Sequence, residues 1–229
     1  MRRAHLAVLL ALACAGLPQA PAPGTSQAWG QLRLVPRDGV APARPGDASY
    51  GDRRLRDVEF VDYSRPGFAV VYVEEASPPG GELELAIRES RLGTRVEPAI
   101  GAVGASGRLV VRNESRIAHV ISYPAAGAVL SLGPGERVEL RVPRAGEQGL
   151  FLLDASAAAT IFAAPGPYVV VSSTGRFSLS DLTPGRRELR AWHPRFPPTV
   201  RSVELAPDAR VQVDLELGVG RGGKPGHAH

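Results

Sequence analysis

The sequence predicts an all-β protein built as two antiparallel β-sandwiches, and three observations lead there. Apolar and polar residues alternate at period two along many short stretches, as in Val211-Gln212-Val213-Asp214-Leu215-Glu216-Leu217. Gly and Pro clusters cut these stretches at intervals of roughly ten residues, the spacing of sandwich strands. No segment shows the 3.6 periodicity of a helix of two turns or more. Composition agrees: the 229 residues include 26 Gly and 21 Pro, and only 6% are aromatic. With 44% hydrophobic and 22% charged residues the chain is globular, long enough for one large or two ordinary domains.

At the start, Arg2 and Arg3 precede an apolar run at 6–13, followed by small residues and a Pro-rich patch at 20–23. This reads as an export signal over 1–20, and places the protein in the periplasm or outside the cell. The run is too short for a transmembrane segment, which takes about 20 apolar residues. Cleavage after Ala13, Ala15 or Ala20 is left open. Cys14 offers a lipoprotein reading, but Ala11-Leu12-Ala13 is a poor lipobox, so plain export is preferred.

The first strand candidate is 31–35. Residues 36–67 are rich in Arg, Asp, Pro and Gly and read as a long solvated connection, with one short strand at 58–61. Further strands are expected at 69–73, 83–88, 108–112, 120–123, 137–142, 150–153, 160–163, 187–192, 201–205 and 211–217. Each alternating stretch offers one apolar face to a core and one charged face to water. Turn signals separate them, among them Pro78-Pro79-Gly80-Gly81, Gly133-Pro134-Gly135, Pro165-Gly166-Pro167 and Thr183-Pro184-Gly185. Residues 219–229 read as a flexible polar tail.

Several chemistries are excluded. Cys14 is the only cysteine, so the region after the signal has no thiol for a disulfide, a cysteine nucleophile, a Cys-ligated zinc or a blue-copper centre. Taking Arg2 and Arg3 from the 27 basic side chains leaves 25 against 23 acidic ones, and no basic run is interleaved with aromatics, so nucleic acid is not an expected partner. Glu74 and Glu75 are adjacent on a strand and point to opposite faces, so they form no acid/base pair. No G-x-S-x-G, G-x-G-x-x-G or P-loop motif sits on a strand–helix unit, and the protein is not expected to be an enzyme.

Two stretches resemble known families. Ser173-Thr174-Gly175-Arg176-Phe177-Ser178-Leu179, then Leu182-Thr183-Pro184-Gly185, then Leu189-Arg190-Ala191-Trp192-His193-Pro194, resemble the carboxypeptidase regulatory-like (transthyretin-like) sandwich. Its opening strands resemble residues 30–35 and 69–74. Between these halves, Arg108-Leu109-Val110-Val111-Arg112-Asn113-Glu114-Ser115 and Ala118-His119-Val120-Ile121-Ser122 resemble the cupredoxin pattern. The order resembles that of exported bacterial plastocyanin-like proteins of the methylamine-utilisation type. The resemblance implies a cupredoxin-like Greek-key domain at 76–165. It would be inserted in a regulatory-like sandwich made of 29–75 and 166–218.

Such relatives carry a copper site spaced C-x-x-H-x-x-M before a Pro-Tyr pair. Counting back from Pro167-Tyr168 puts Ala157 at the Met, Asp154 at the second His and Phe151 at the Cys. Only His119 remains of the four implied ligands, so the resemblance implies a degenerate site and no bound copper or other cofactor. Phe151 is expected to be buried where the copper would be. His119 is expected to hydrogen-bond the strand ends at the loop rim, rather than serve as a metal ligand with Asp154. His193, beside Trp192, is expected to shield a strand end. Asn113-Glu114-Ser115 fits a glycosylation sequon, but Asn113 is expected to serve a turn.

The core is expected to include Leu32, Leu34, Val71, Val73, Leu109, Val111, Val138, Leu140, Phe177, Leu189, Val213 and Leu215. The function that follows is a non-catalytic exported binding or structural module. Its partner is expected to be a protein at the cell envelope, with a glycan as the other choice; the sequence does not fix an oligomeric state. The alternative is a periplasmic metal-handling or electron-transfer protein that uses His119.

Overall fold

The structure is a computed structural model that describes residues 21–36, 62–63, 65–75 and 79–218. The expected signal at 1–20 with Cys14, the strand at 58–61 and the tail at 219–229 lie outside the described residues. The chain is all-β. In order, the strands are β1 (Ser26–Val35), β2 (Val70–Val73), β3 (Glu82–Ser90), β4 (Gly93–Glu97), β5 (Ile100–Gly104), β6 (Arg108–Asn113), β7 (His119–Tyr123), β8 (Ala128–Leu132) and β9 (Arg137–Arg141). They continue as β10 (Gly146–Leu152), β11 (Ala157–Ala164), β12 (Tyr168–Val170), β13 (Arg176–Leu182), β14 (Gly185–His193), β15 (Phe196–Leu205), β16 (Arg210–Gln212) and β17 (Leu215–Gly218). A 3-10 turn, Pro124–Ala126, joins β7 to β8.

Four sheets pair into two sandwiches. In the first, β13-β1-β16, with β17 also on β1, lies opposite β12-β2-β14-β15. Their inward residues share one core, with Leu32 and Leu34 from β1, Val71 and Val73 from β2, Phe177 from β13, and Leu189 from β14. In the second, β5-β11-β10-β7-β8 lies opposite β4-β3-β6-β9 around Leu85, Ile87, Leu109, Val111, Ile121, Leu150 and Ile161. Period-two burial explains both cores, because every second residue of a strand points to the same face. All the core residues named from sequence are buried except Val138, which is partly buried against the second core.

Three of the four sheets are mixed, and β12-β2-β14-β15 is antiparallel throughout. β1 runs parallel to β16 and β17, β3 parallel to β6, and β5 parallel to β11. Alternation alone does not show this, since both ladder types share the period of two. β1 changes partner where Val213 and Asp214 separate β16 from β17. A side chain at Gly30 would there meet the Val213 carbonyl oxygen at 2.0 Å.

All strands of the second core fall between β2 and β12 in the chain. The two connecting segments run side by side, with the Val73 N–H donating to the Pro167 carbonyl at 3.0 Å. At Gly166 a Cβ would lie 2.1 Å from the Val73 carbonyl oxygen, so only glycine permits this approach. A third apolar cluster joins the sandwiches: Val70 and Tyr72 of β2 and Trp192 of β14 meet Phe162 and Ala164 of β11. The Phe162 and Trp192 rings stack with centroids 4.7 Å apart, and Trp192 Nε1 donates to Glu147 Oε2 at 3.2 Å.

Candidate functional site

The end of the second sandwich where β7 begins holds the residues singled out from sequence. His119, Ile121 and Tyr123 alternate inward along β7, which buries the His119 imidazole to 1% exposure. Asp154 follows β10 and turns back over the start of β7. Its Oδ2 lies 2.8 Å from His119 Nδ1, and its Oδ1 accepts the Val120 N–H at 3.2 Å. Partial burial pushes the Asp154 carboxyl up, but the hydrogen bonds from His119 and from backbone N–H groups outweigh it and hold the group below its ordinary value. His119 Nε2 is buried and has no hydrogen-bond partner.

Phe151 corrects the sequence reading. Its ring is 43% exposed on the outer face of the sheet, and it does not fill a former metal site. The inward residues are its neighbours Leu150 and Leu152, both in the second core. The cause is strand parity. The β10–β11 hairpin pairs Phe151 with Ala158 and Leu152 with Ala157, and a shift of one residue moves a side chain to the other face. A gap-free count back from Pro167-Tyr168 carries no information about that parity. Ala157 is partly buried against the second core, beside Leu152.

The donor set here is therefore one imidazole engaged by one carboxylate. Type 1 copper takes a thiolate and two imidazoles, and these residues do not fit it. Among the described residues no group of three or more His, Cys, Asp or Glu side chains could share a metal ion.

The remaining candidates lie elsewhere. Asn113 is fully buried; its Nδ2 donates to the Ile117 and Leu132 carbonyls, each at 2.8 Å, and its Oδ1 accepts from Ser115. One amide hydrogen thus holds the turn before β7, and the other ties it to the end of β8. His193 pins a strand end: its Nδ1 accepts the Arg195 N–H at 3.0 Å, so Nε2 carries the proton and donates to the Pro66 carbonyl at 3.0 Å. Burial and the nearby Arg195 charge lower its pKa, while the Pro66 carbonyl works the other way. The two histidines are not brought together. Trp192, next to His193, holds Glu147 near the start of β10, whereas Asp154 follows its end, about 20 Å along the strand.

The sequence reading missed the outer face of the sheet β5-β11-β10-β7-β8. Val129, Phe151 and Leu153 are exposed there. The signal was available: Gly149-Leu150-Phe151-Leu152-Leu153 is apolar at consecutive positions, which marks a strand meant to be covered on both faces.

No protein-family model matches the sequence, and no curated protein matches it. Solved structures similar to part of it include a novel purple cupredoxin from Nitrosopumilus maritimus, at 14% identity and a TM-score of 0.31, covering 36% of this chain and 99% of that one. The reduced state of an amicyanin mutant is similar at 13% identity and TM-score 0.30, covering 41% of this chain and 97% of that one. A Cu-containing nitrite reductase from Thermus scotoductus SA-01 is similar at 15% identity and TM-score 0.27, over 37% of this chain and 27% of that one.

Proposed function

We propose that the protein is a non-catalytic, exported binding or structural module. Its second sandwich is a cupredoxin-like domain without a type 1 copper site, inserted in a regulatory-like sandwich. The observation that carries this is the donor set at His119: one imidazole with Asp154 on its Nδ1, and no thiolate or second imidazole brought to it among the described residues. The signal-like start of the sequence supports a periplasmic or secreted location, and no helix among the described residues is long and apolar enough to cross a membrane. A protein partner is favoured over a glycan. Among the described residues the exposed large aromatics are Trp29 and Phe151, one on each sandwich, and they form no adjacent ring pair for stacking a sugar.

A second reading, transient metal handling, draws on the unpartnered Nε2 of His119. One titration separates the two. Cu(II) added to the exported chain should give neither an intense visible thiolate band nor tight stoichiometric binding. An intense band would overturn the proposal. Tight binding that disappears in His119→Ala would establish metal handling instead.

A further inference from the structure

The outer face of the sheet β5-β11-β10-β7-β8 is laid out in rows. Glu147, Phe162 and Ala102 form one row across β10, β11 and β5. This row is covered by the other sandwich through Trp192 and Tyr72. Two rows further along, Val129, Ser122, Phe151 and Ala158 line up across β8, β7, β10 and β11. Here Val129 is 63% and Phe151 43% exposed, and Leu153 beside them is 60% exposed. The face is continuous with an interface already made, but among the described residues nothing covers this half.

Two further features describe what fits it. Ser131 and Thr160, also outward on this sheet, bring hydroxyls, so among the described residues the outward strand positions of this half carry no charge, and Asp154 at its edge is engaged by His119. It is also flat around its centre: a Cβ on Gly149 would lie 2.5 Å from the Phe151 ring, so the ring lies down over the glycine. In a two-fold pair each patch meets its own copy, and any charge near the axis would face itself. A patch without charge satisfies that condition. A foreign partner recruited by charge would find nothing here to steer it, although the opposite sheet is dense with Arg and Glu.

We infer that this bare half-face binds a second copy of the same chain, sheet against sheet, with Phe151 and Val129 at the centre of the contact. Four strands make a patch only about 15 Å wide. Over its three outward rows it covers on the order of 200 Å², smaller than the roughly 800 Å² per partner of a standard stable interface, so the pair is a weak, concentration-dependent dimer. The inference is independent of whether His119 takes a metal.

Sedimentation velocity on the exported chain over a wide concentration range tests it. The wild type should show a monomer–dimer equilibrium. Phe151→Arg and Val129→Arg should be monomeric throughout, with wild-type circular dichroism. Arg137→Ala, on the charged opposite sheet, should dimerise as the wild type does. Should Phe151→Arg fail to fold, Val129→Arg decides the matter, because Val129 is the more exposed. A wild type that stays monomeric to its solubility limit overturns the inference and returns the face to a foreign partner. A dimer that survives both arginine substitutions overturns it as well.

Discussion

The two outer faces of the second sandwich are opposites. On the sheet β4-β3-β6-β9 most outward positions are charged and paired: Arg108 reaches Glu82 at 2.7 Å and Glu139 at 3.8 Å, Arg112 reaches Glu84, Arg137 reaches Glu139, and Arg88 reaches Glu97 and Glu114. On the sheet β5-β11-β10-β7-β8 the corresponding positions are Val129, Phe151, Ala158 and Phe162. Both sheets fill the same core, so the core does not explain the difference. What each outer face meets does. A face bound for water alternates cleanly, and a face bound for protein is apolar on both sides. One half of the apolar face already has its protein neighbour in the first sandwich.

The largest expected effect breaks the comparison within that apolar face. Phe162 is 3% exposed and stacks on Trp192. Phe162→Ala should cost about 3–5 kcal/mol, the usual loss for a buried aromatic. Phe151→Ala, two rows away in the bare half, should cost the monomer less than about 1 kcal/mol, as exposed substitutions do. Urea unfolding of both variants at a concentration that favours the monomer measures the difference. Equal losses would mean that the two halves are covered alike, and the distinction would fail.

The charged face was legible in the sequence and the apolar one only in part. Leu83-Glu84-Leu85-Ala86-Ile87-Arg88 and Arg137-Val138-Glu139-Leu140-Arg141-Val142 alternate so regularly that strand, inward face and outward face follow together. Along β10 and β11 both faces are apolar, so periodicity marks the strand without giving its parity. The count back from Pro167-Tyr168 puts Phe151 inward, and periodicity here offers nothing to correct it. β8 is absent from the expected strands for a similar reason: it runs directly into Gly133-Pro134-Gly135, yet Leu130 packs against the second core. At the candidate site, His119 and Asp154 were both identified as positions. Their contact was not, because it depends on where the segment after β10 folds back.

Acid sharpens the comparison at the lid of the covered half. Trp192 packs on Phe162, and its neighbour His193 ties that strand end to Pro66. The folded pKa of His193 is depressed below its unfolded value of about 6.5. Above both values the group is neutral in both states and contributes no pH dependence. As pH falls through about 6.5 the unfolded chain takes up the proton first, so stability declines until the folded value is reached. Thermal melts from pH 8 to pH 5 should therefore show a downward slope that is shallower in His193→Gln. An identical slope in the variant would mean that His193 is not the group responsible.

The smallest expected effect concerns the charged face, where side-chain stem and charge separate. Arg108 is exposed, and so are Glu82 and Glu139, so its ion pairs are screened by salt and are weak. Its stem is different. Val110 is the next outward residue on β6 and is only 3% exposed, lying in a row between Glu84 and Glu139. An apolar residue buried on a charged face needs aliphatic cover, which long arginine stems supply. Arg108→Met keeps a stem and removes the charge; its melting temperature should fall slightly at low salt and match the wild type at high salt. Arg108→Ala removes both and should keep a residual loss that salt does not erase. If the two variants lose equally at every salt concentration, the stem contributes nothing, and the face is held by charge after all.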